Sequence, residues 1–161
     1  MNTNEMSALE AFGRLTAFCA AGEHCLSEVK ERLRRWNVAA DEAEALVQKL
    51  LDEGYVNEER YCRAFINDKV RFARWGRVKI AQALRQKQIS SSLYSSLLDD
   101  IDQEEYLGQL RRLLEAKQRE VRGRNAYERK AKLIRFALGR GYEMDEIRRF
   151  IPNFEENEPE E

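Results

Sequence analysis

Six apolar positions recur three times along this chain, and that recurrence limits its fold more than any other feature of the sequence. Val29, Leu33 and Val38 reappear 51 residues later as Ile80, Leu84 and Ile89, and 53 residues further on as Leu133, Ala137 and Tyr142. The segment that follows keeps the same offsets. Ala43, Leu46 and Val47 become Tyr94, Leu97 and Leu98, then Ile147, Phe150 and Ile151. Any two amphipathic helices can be overlaid at some offset. An offset that also preserves the turn residue between two helices (Val38, Ile89, Tyr142) instead marks a repeated helix–turn–helix unit. The predicted fold is therefore all-α: three tandem three-helix repeats forming an elongated, slightly curved array.

Local patterning agrees. Ala43, Leu46, Val47, Leu50 and Leu51 form one helical stripe, and Gly54 directly after it suits a left-handed C-cap. Leu26, Val29, Leu33 and Trp36 form a second stripe. Asn57 followed by Glu58 and Glu59 reads as a helix start, and Asn125 with Glu128 has capping-box spacing. Ala, Glu, Lys, Leu and Arg make up over half the chain, and the only prolines are Pro152 and Pro159. The predicted helices lie at about 6–20, 26–36, 41–53, 57–74, 77–87, 91–100, 103–122, 126–139 and 143–151. The repeats then divide as 1–54, 55–101 and 102–152, with an acidic, low-complexity tail over 153–161 read as disordered. In the fourth helix Cys62, Ile66 and Val70 run beside Tyr61, Phe65 and Phe72. So wide an apolar arc predicts packing on two sides, as a seam between the first two repeats.

Net charge is −1, which conceals segregation. Residues 69–98 carry Lys69, Arg71, Arg74, Arg77, Lys79, Arg85 and Lys87 with no acid, and residues 111–140 carry eleven cations against three acids. Acidic segments flank both blocks. Such a surface suits a charged partner, although charged helix faces also simply keep a small protein in solution. The N-terminus has neither a basic n-region nor an apolar h-region, and three cysteines without a signal peptide imply reduced thiols, so a cytoplasmic protein is expected. No catalytic centre, phosphate loop, cofactor motif or metal-ligand spacing is evident. Cys19, His24, Cys25 and Cys62 lack paired C-x2-C spacing, and adjacent His24 and Cys25 would strain tetrahedral closure around zinc; Cys19 and Cys62 read as small apolar residues on helix faces and His24 as part of a turn.

The densest local feature is Arg71-Phe72-Ala73-Arg74-Trp75-Gly76-Arg77-Val78-Lys79-Ile80, with four cations around a tryptophan and a glycine at a helix-to-helix turn. Gly76 can cap the next helix, whose open amides together with the arginine forks are expected to favour an anion. Phe72 is read as core, and Trp75 as either core or contact. No acid within 69–98 neutralises these cations, and Lys87, Arg111 and Arg112 extend the expected partner surface.

At these residues the chain resembles the RecX family. The resemblance runs through Gly54-Tyr55-Val56-Asn57-Glu58-Glu59-Arg60-Tyr61-Cys62-Arg63-Ala64-Phe65, Arg74-Trp75-Gly76-Arg77-Val78-Lys79-Ile80, Leu84-Arg85-Gln86-Lys87-Gln88-Ile89 and Leu138-Gly139-Arg140-Gly141-Tyr142-Glu143-Met144-Asp145-Glu146-Ile147. It covers about residues 8–151. The chain departs from the family in two places. Gln88 stands where glycine is usual, and Cys25 replaces the serine of a Ser-x-x-Glu helix start; cysteine caps poorly, so that start is expected to fray. The resemblance implies a monomeric, non-enzymatic negative regulator of the RecA recombinase. Such a protein binds the RecA filament on single-stranded DNA along its groove and suppresses strand exchange and co-protease activity. Arg71, Arg74, Trp75, Arg77, Lys79, Lys87, Arg111 and Arg112 are the candidate contacts with filament or DNA. The alternative is a helical module that binds single-stranded or duplex DNA directly, without RecA.

Overall fold

The computed structural model describes residues 6–151. The expected disordered tail at 153–161 lies outside them. Among the described residues there is no strand, and no helix is long and apolar enough to cross a membrane. In chain order the helices are α1 (Ala8–Ala21), α2 (Leu26–Arg35), α3 (Ala40–Asp52), α4 (Glu58–Asp68), α5 (Arg77–Gln86), α6 (Ser91–Asp99), α7 (Gln103–Gln118), α8 (Ala126–Gly139) and α9 (Met144–Arg148). A π-helical turn, Lys69–Ala73, continues α4. The caps are where the sequence put them: the Arg60 amide donates to Asn57 Oδ1 at 2.9 Å and the Glu128 amide to Asn125 Oδ1 at 2.8 Å.

The repeat is visible in backbone hydrogen bonds. After α2, α5 and α8 the chain turns through a left-handed residue: Asn37 (φ 53°), Gln88 (φ 61°) and Gly141 (φ 97°). The next amide then donates back into the helix: Val38 to the Leu33 carbonyl (3.1 Å), Ile89 to Leu84 (3.1 Å) and Tyr142 to Ala137 (3.2 Å). This is the six-to-one bond of a Schellman C-cap, formed three times at the 51- and 53-residue offsets. Val29, Ile80 and Leu133 are all buried, as are Leu33, Leu84 and Ala137. The match weakens at the end of the third copy. Leu46 and Leu97 are buried, while Phe150 is only half-buried because α9 is a helix of 5 residues.

The chain forms two compact units. One holds residues 6–65 together with Leu84–Leu93; the other holds Ile66–Ala83 together with residues 94–151. The division falls inside α4, α5 and α6, so each of these helices contributes residues to both units. The first unit packs Ala11, Leu15, Val29, Leu33, Leu46, Leu50 and Val56 into one core. The α2 start within it is held firmly, contrary to the expectation of fraying. Cys25 is fully buried, its amide donates to Glu28 Oε1 (3.1 Å), and the Leu26 amide donates to Glu58 Oε1 (2.8 Å). Cys25 thus closes a capping box with Glu28, its sulfur facing the Glu28 amide, and Glu58 takes the first amide of the helix. Burial opposes the charge on Glu28, but the Cys25 amide and the Lys87 ammonium 3.4 Å away together hold its pKa below the ordinary carboxylate value. His24 stacks on Phe18 with ring centroids 3.4 Å apart. Burial pushes the Cys62 thiol up to about 11.

Candidate partner-docking surface

In the second unit the Arg71–Ile80 segment is shaped by one π turn and one glycine. The wider π turn rotates the positions after Asp68 off the α-helical face. Val70 stays buried, but Phe72 swings outward and is 79 % exposed. The expectation that Phe72 belongs to the core is therefore corrected. Arg74 closes the turn in the left-handed region (φ 52°), and the Trp75 amide donates to the Lys69 carbonyl at 2.9 Å.

Gly76 then meets the turn between α8 and α9. Its amide donates to the Arg140 carbonyl at 2.7 Å, and a Cβ there would lie 2.3 Å from the backbone carbon of Gly141. Gly141 is as constrained, since its own Cβ would lie 2.5 Å from Lys79 Cβ. Arg140 Nη1 completes the junction by donating to the Ala73 carbonyl at 2.9 Å. Two distant stretches of the family resemblance, around Gly76 and Gly141, are thus one contact. It also uses the amides expected to attract an anion. The Arg77 amide donates to the Tyr106 hydroxyl (2.9 Å) and the Val78 amide to the Gly141 carbonyl (3.1 Å), so the α5 start offers no open anion cradle there.

Arg77 points inward. Its guanidinium lies 4.0 Å from the Tyr106 ring centroid, and it donates to the Leu98 carbonyl (3.1 Å), Gln103 Oε1 (3.1 Å) and Glu146 Oε2 (3.4 Å). The Tyr106 hydroxyl donates to Glu146 Oε1 at 3.4 Å, and the same oxygen accepts the Glu143 amide at 2.9 Å. Glu146 is 9 % exposed, so its charge is tolerated only because Arg77 and these donors face it. Burial raises the phenol pKa of both Tyr106 and Tyr142, whose ring centroids are 5.3 Å apart. Sequence periodicity missed Tyr106, Gln103 and Glu146 as partners of Arg77; Glu146 carried a signal only through its place in the family resemblance.

The remaining candidates are distributed as follows. Arg71 is exposed and pairs with Glu105 at 2.6 Å, and Arg74 Nε donates to Gln109 Oε1 at 3.2 Å. No acid within 69–98 faces these cations, but Glu105 and Glu146 reach Arg71 and Arg77 from outside that block. Trp75 is half-buried, with the Lys69 and Lys79 ammoniums 4.8 and 4.5 Å from its ring centroid. Arg71, Phe72, Arg74, Trp75 and Lys79 therefore share one turn and the helix start after it, as an aromatic–cationic surface. Arg111 and Arg112 are exposed on α7, with Arg111 beside Lys130, Leu133 and Phe150 in a groove of about 420 Å³. Lys87 belongs to the first unit, where it pairs with Glu28. Among the described residues no three His, Cys, Asp or Glu side chains are grouped to hold a metal ion.

Comparison with known proteins assigns the family. The second three-helix domain of RecX matches residues 57–98, and the third matches residues 103–151. The regulatory protein RecX of Acinetobacter baylyi is 30 % identical over 152 residues, covering 94 % of this chain and 92 % of the relative. That of Pseudomonas fluorescens is 34 % identical over 137 residues, covering 82 % and 83 %. The fold is shared with a crystal structure of RecX from Lactobacillus salivarius, at a TM-score of 0.80 and 16 % identity, over 90 % of this chain and 94 % of that one. The glycine-to-glycine contact joins the matched second domain to the matched third, and with full-length relatives on both counts this chain belongs to the RecX family.

Proposed function

We propose that this chain is a cytoplasmic, non-enzymatic negative regulator of RecA recombinase that binds the RecA–single-stranded DNA filament along its groove. It works as three tandem three-helix repeats divided near residues 54 and 101, and suppresses strand exchange and co-protease activity. The observation that carries this reading is family membership across nearly the whole chain, with relatives named regulatory protein RecX. The geometry supports contact with a large partner rather than catalysis, since the polar groups around Arg77 are turned onto one another. The exposed Arg71 and Phe72, with the half-buried Arg74, Trp75 and Lys79 beside them, offer what interface centres favour, aromatic area beside arginine.

The test is RecA strand exchange titrated with wild type and with the double variant Arg71→Glu, Arg74→Glu. Arg77 is left intact because its charge holds Glu146 in the interior. The variant is expected to lose at least about tenfold in inhibitory potency, as for two residues in an interface hot spot. Its melting temperature should change little, because an exposed ion pair contributes about 0–1 kcal/mol. Full inhibition by the folded variant would place the contact elsewhere.

A further inference from the structure

Ile151, where the described residues end, is itself a wall of the groove of about 420 Å³ in the second unit. The short α9 has 5 residues against 16 in α7 and 14 in α8, so it cannot cover those two helices along their length. The groove walls are apolar: Leu114 from α7, Leu133 from α8, and the half-buried Phe150 and Ile151. The rim carries Arg111, Gln118 and Lys130, with Glu115 as its one acid, 3.9 Å from Arg111. Gln118 is the last residue of α7, and Lys130 lies near the start of α8, so this end of the groove opens toward the loop that joins them.

That loop is basic and firmly held. Lys132 Nζ donates to the Arg122 carbonyl at 2.5 Å and Arg129 Nη1 to the Gly123 carbonyl at 3.1 Å. Arg119 and Arg122 are left exposed. Neighbouring carboxylates are already engaged, Glu120 with Lys117 at 3.0 Å and Glu128 with Arg124 at 3.2 Å and Lys132 at 3.6 Å. Arg119, Arg122 and Lys130 have no carboxylate within ion-pair distance among the described residues.

The sequence that leaves the groove at Ile151 is Pro152-Asn153-Phe154-Glu155-Glu156-Asn157-Glu158-Pro159-Glu160-Glu161, one aromatic residue followed by five glutamates and no cation. Its order matches the surface beside it, an apolar groove first and uncompensated cations beyond. We infer that residues 152–161 dock back on this groove in cis, with Phe154 on the apolar walls and the glutamates along Lys130, Arg119 and Arg122. Phe154 is three residues from Ile151, a reach of up to about 10 Å, and the seven residues after it extend about 24 Å further. A tethered segment meets its site at an effective concentration in the millimolar range, so a weak contact is enough to hold it. An apolar centre inside a charged rim is also the ordinary composition of an interface. The docked tail would shield the most basic face of the unit with the chain's own carboxylates. It requires no partner, and so goes beyond the regulatory reading.

The test is NMR on the isotope-labelled full chain at two salt concentrations, reading backbone order parameters of the tail and nuclear Overhauser contacts from the Phe154 ring to the Leu114 and Leu133 methyl groups. One variant, Phe154→Ala, removes the anchor, and a second, Arg119→Gln, Arg122→Gln, Lys130→Gln, removes the counter-charges. The control is Arg34→Gln, Arg35→Gln, exposed cations of the first unit. In wild type the order parameters at Phe154 and Glu155 should be near about 0.8, and in both variants below about 0.6, with the control like wild type. Raised salt should lower the wild-type values, because the glutamates are held by exposed charges. Amide shifts of α2 and α3 should be unchanged in both tail and groove variants, showing that the fold is intact. Wild-type values below about 0.6 from Phe154 onward, no change in either variant, order indifferent to salt, or an equal loss in the control would overturn the docking. Ring-to-methyl contacts seen only between differently labelled molecules in a mixed sample would assign the groove to the tail of a second copy and overturn the cis arrangement.

Discussion

Gly76 shows how one residue can hold two distant segments together. Its buried α-carbon rests on the backbone of Gly141, 65 positions further along the chain, so neither position leaves room for a side chain. The contact is backbone against backbone, and no rotamer change relieves it. Gly76→Ala is expected to cost about 3 kcal/mol or more in urea unfolding, at the upper end of overpacking effects. Gly13→Ala is the matched control. Gly13 lies inside α1 with nothing within 4 Å of a new Cβ, so alanine there should raise stability by about 0.5–1 kcal/mol. The tryptophan and arginine beside Gly76 were legible as a cluster. That the glycine is the fixed point, with Arg77 turned inward beneath it, was not, because Gly141 and Tyr106 are far away in sequence.

At the scale of elements, the three Schellman turns carry the repeat more faithfully than the helices do. Each needs a left-handed residue, supplied once by asparagine, once by glutamine and once by glycine. Asparagine tolerates that conformation and glycine adopts it freely, whereas glutamine pays a steric cost through its Cβ. Gln88→Gly should therefore raise stability by about 0.5–1 kcal/mol and leave the Ile89 hydrogen bond in place. Chemical denaturation and amide exchange at Ile89 would check it; a loss of stability would mean that the Gln88 side chain makes a contact worth more than the strain. The helix ends were read from the sequence to within a few residues, except where the π turn took over the end of α4. That turn has no sequence signature in a 3.6-residue period. It decided that Phe72 faces solvent, although seven residues after Phe65 an ideal helix would return it to the same face.

Across the whole molecule, the buried ionisable groups bias stability against alkali. Burial raises the phenol pKa of Tyr61, Tyr106 and Tyr142 and the thiol pKa of Cys19 and Cys25, and takes Cys62 from an ordinary 9.0 to about 11. A raised folded-state pKa means that the unfolded chain gives up its proton first as pH rises. The stability from each group is then complete below its unfolded value and drains away as pH climbs through the folded one. For Cys62 that window opens near 9 and closes near 11. The urea midpoint should hold to about pH 8 and fall by about pH 10.5, with a smaller fall in Cys62→Ala. A flat profile over that range would mean that these groups ionise inside the folded protein.

The sequence by itself determined the helices, most of their caps and the repeat, because each depends on a period or a spacing within a few neighbouring residues. It also determined the family, because the motifs hold in order along nearly the whole chain. The tertiary structure decided which charges are free. Composition showed an acid-free block around Arg74, but Glu105 and Glu146 return to Arg71 and Arg77 from later helices, and Glu28 holds Lys87. The physical reason is range. A helix is specified by bonds spanning three or four residues, whereas an ion pair depends on where the whole chain has already folded.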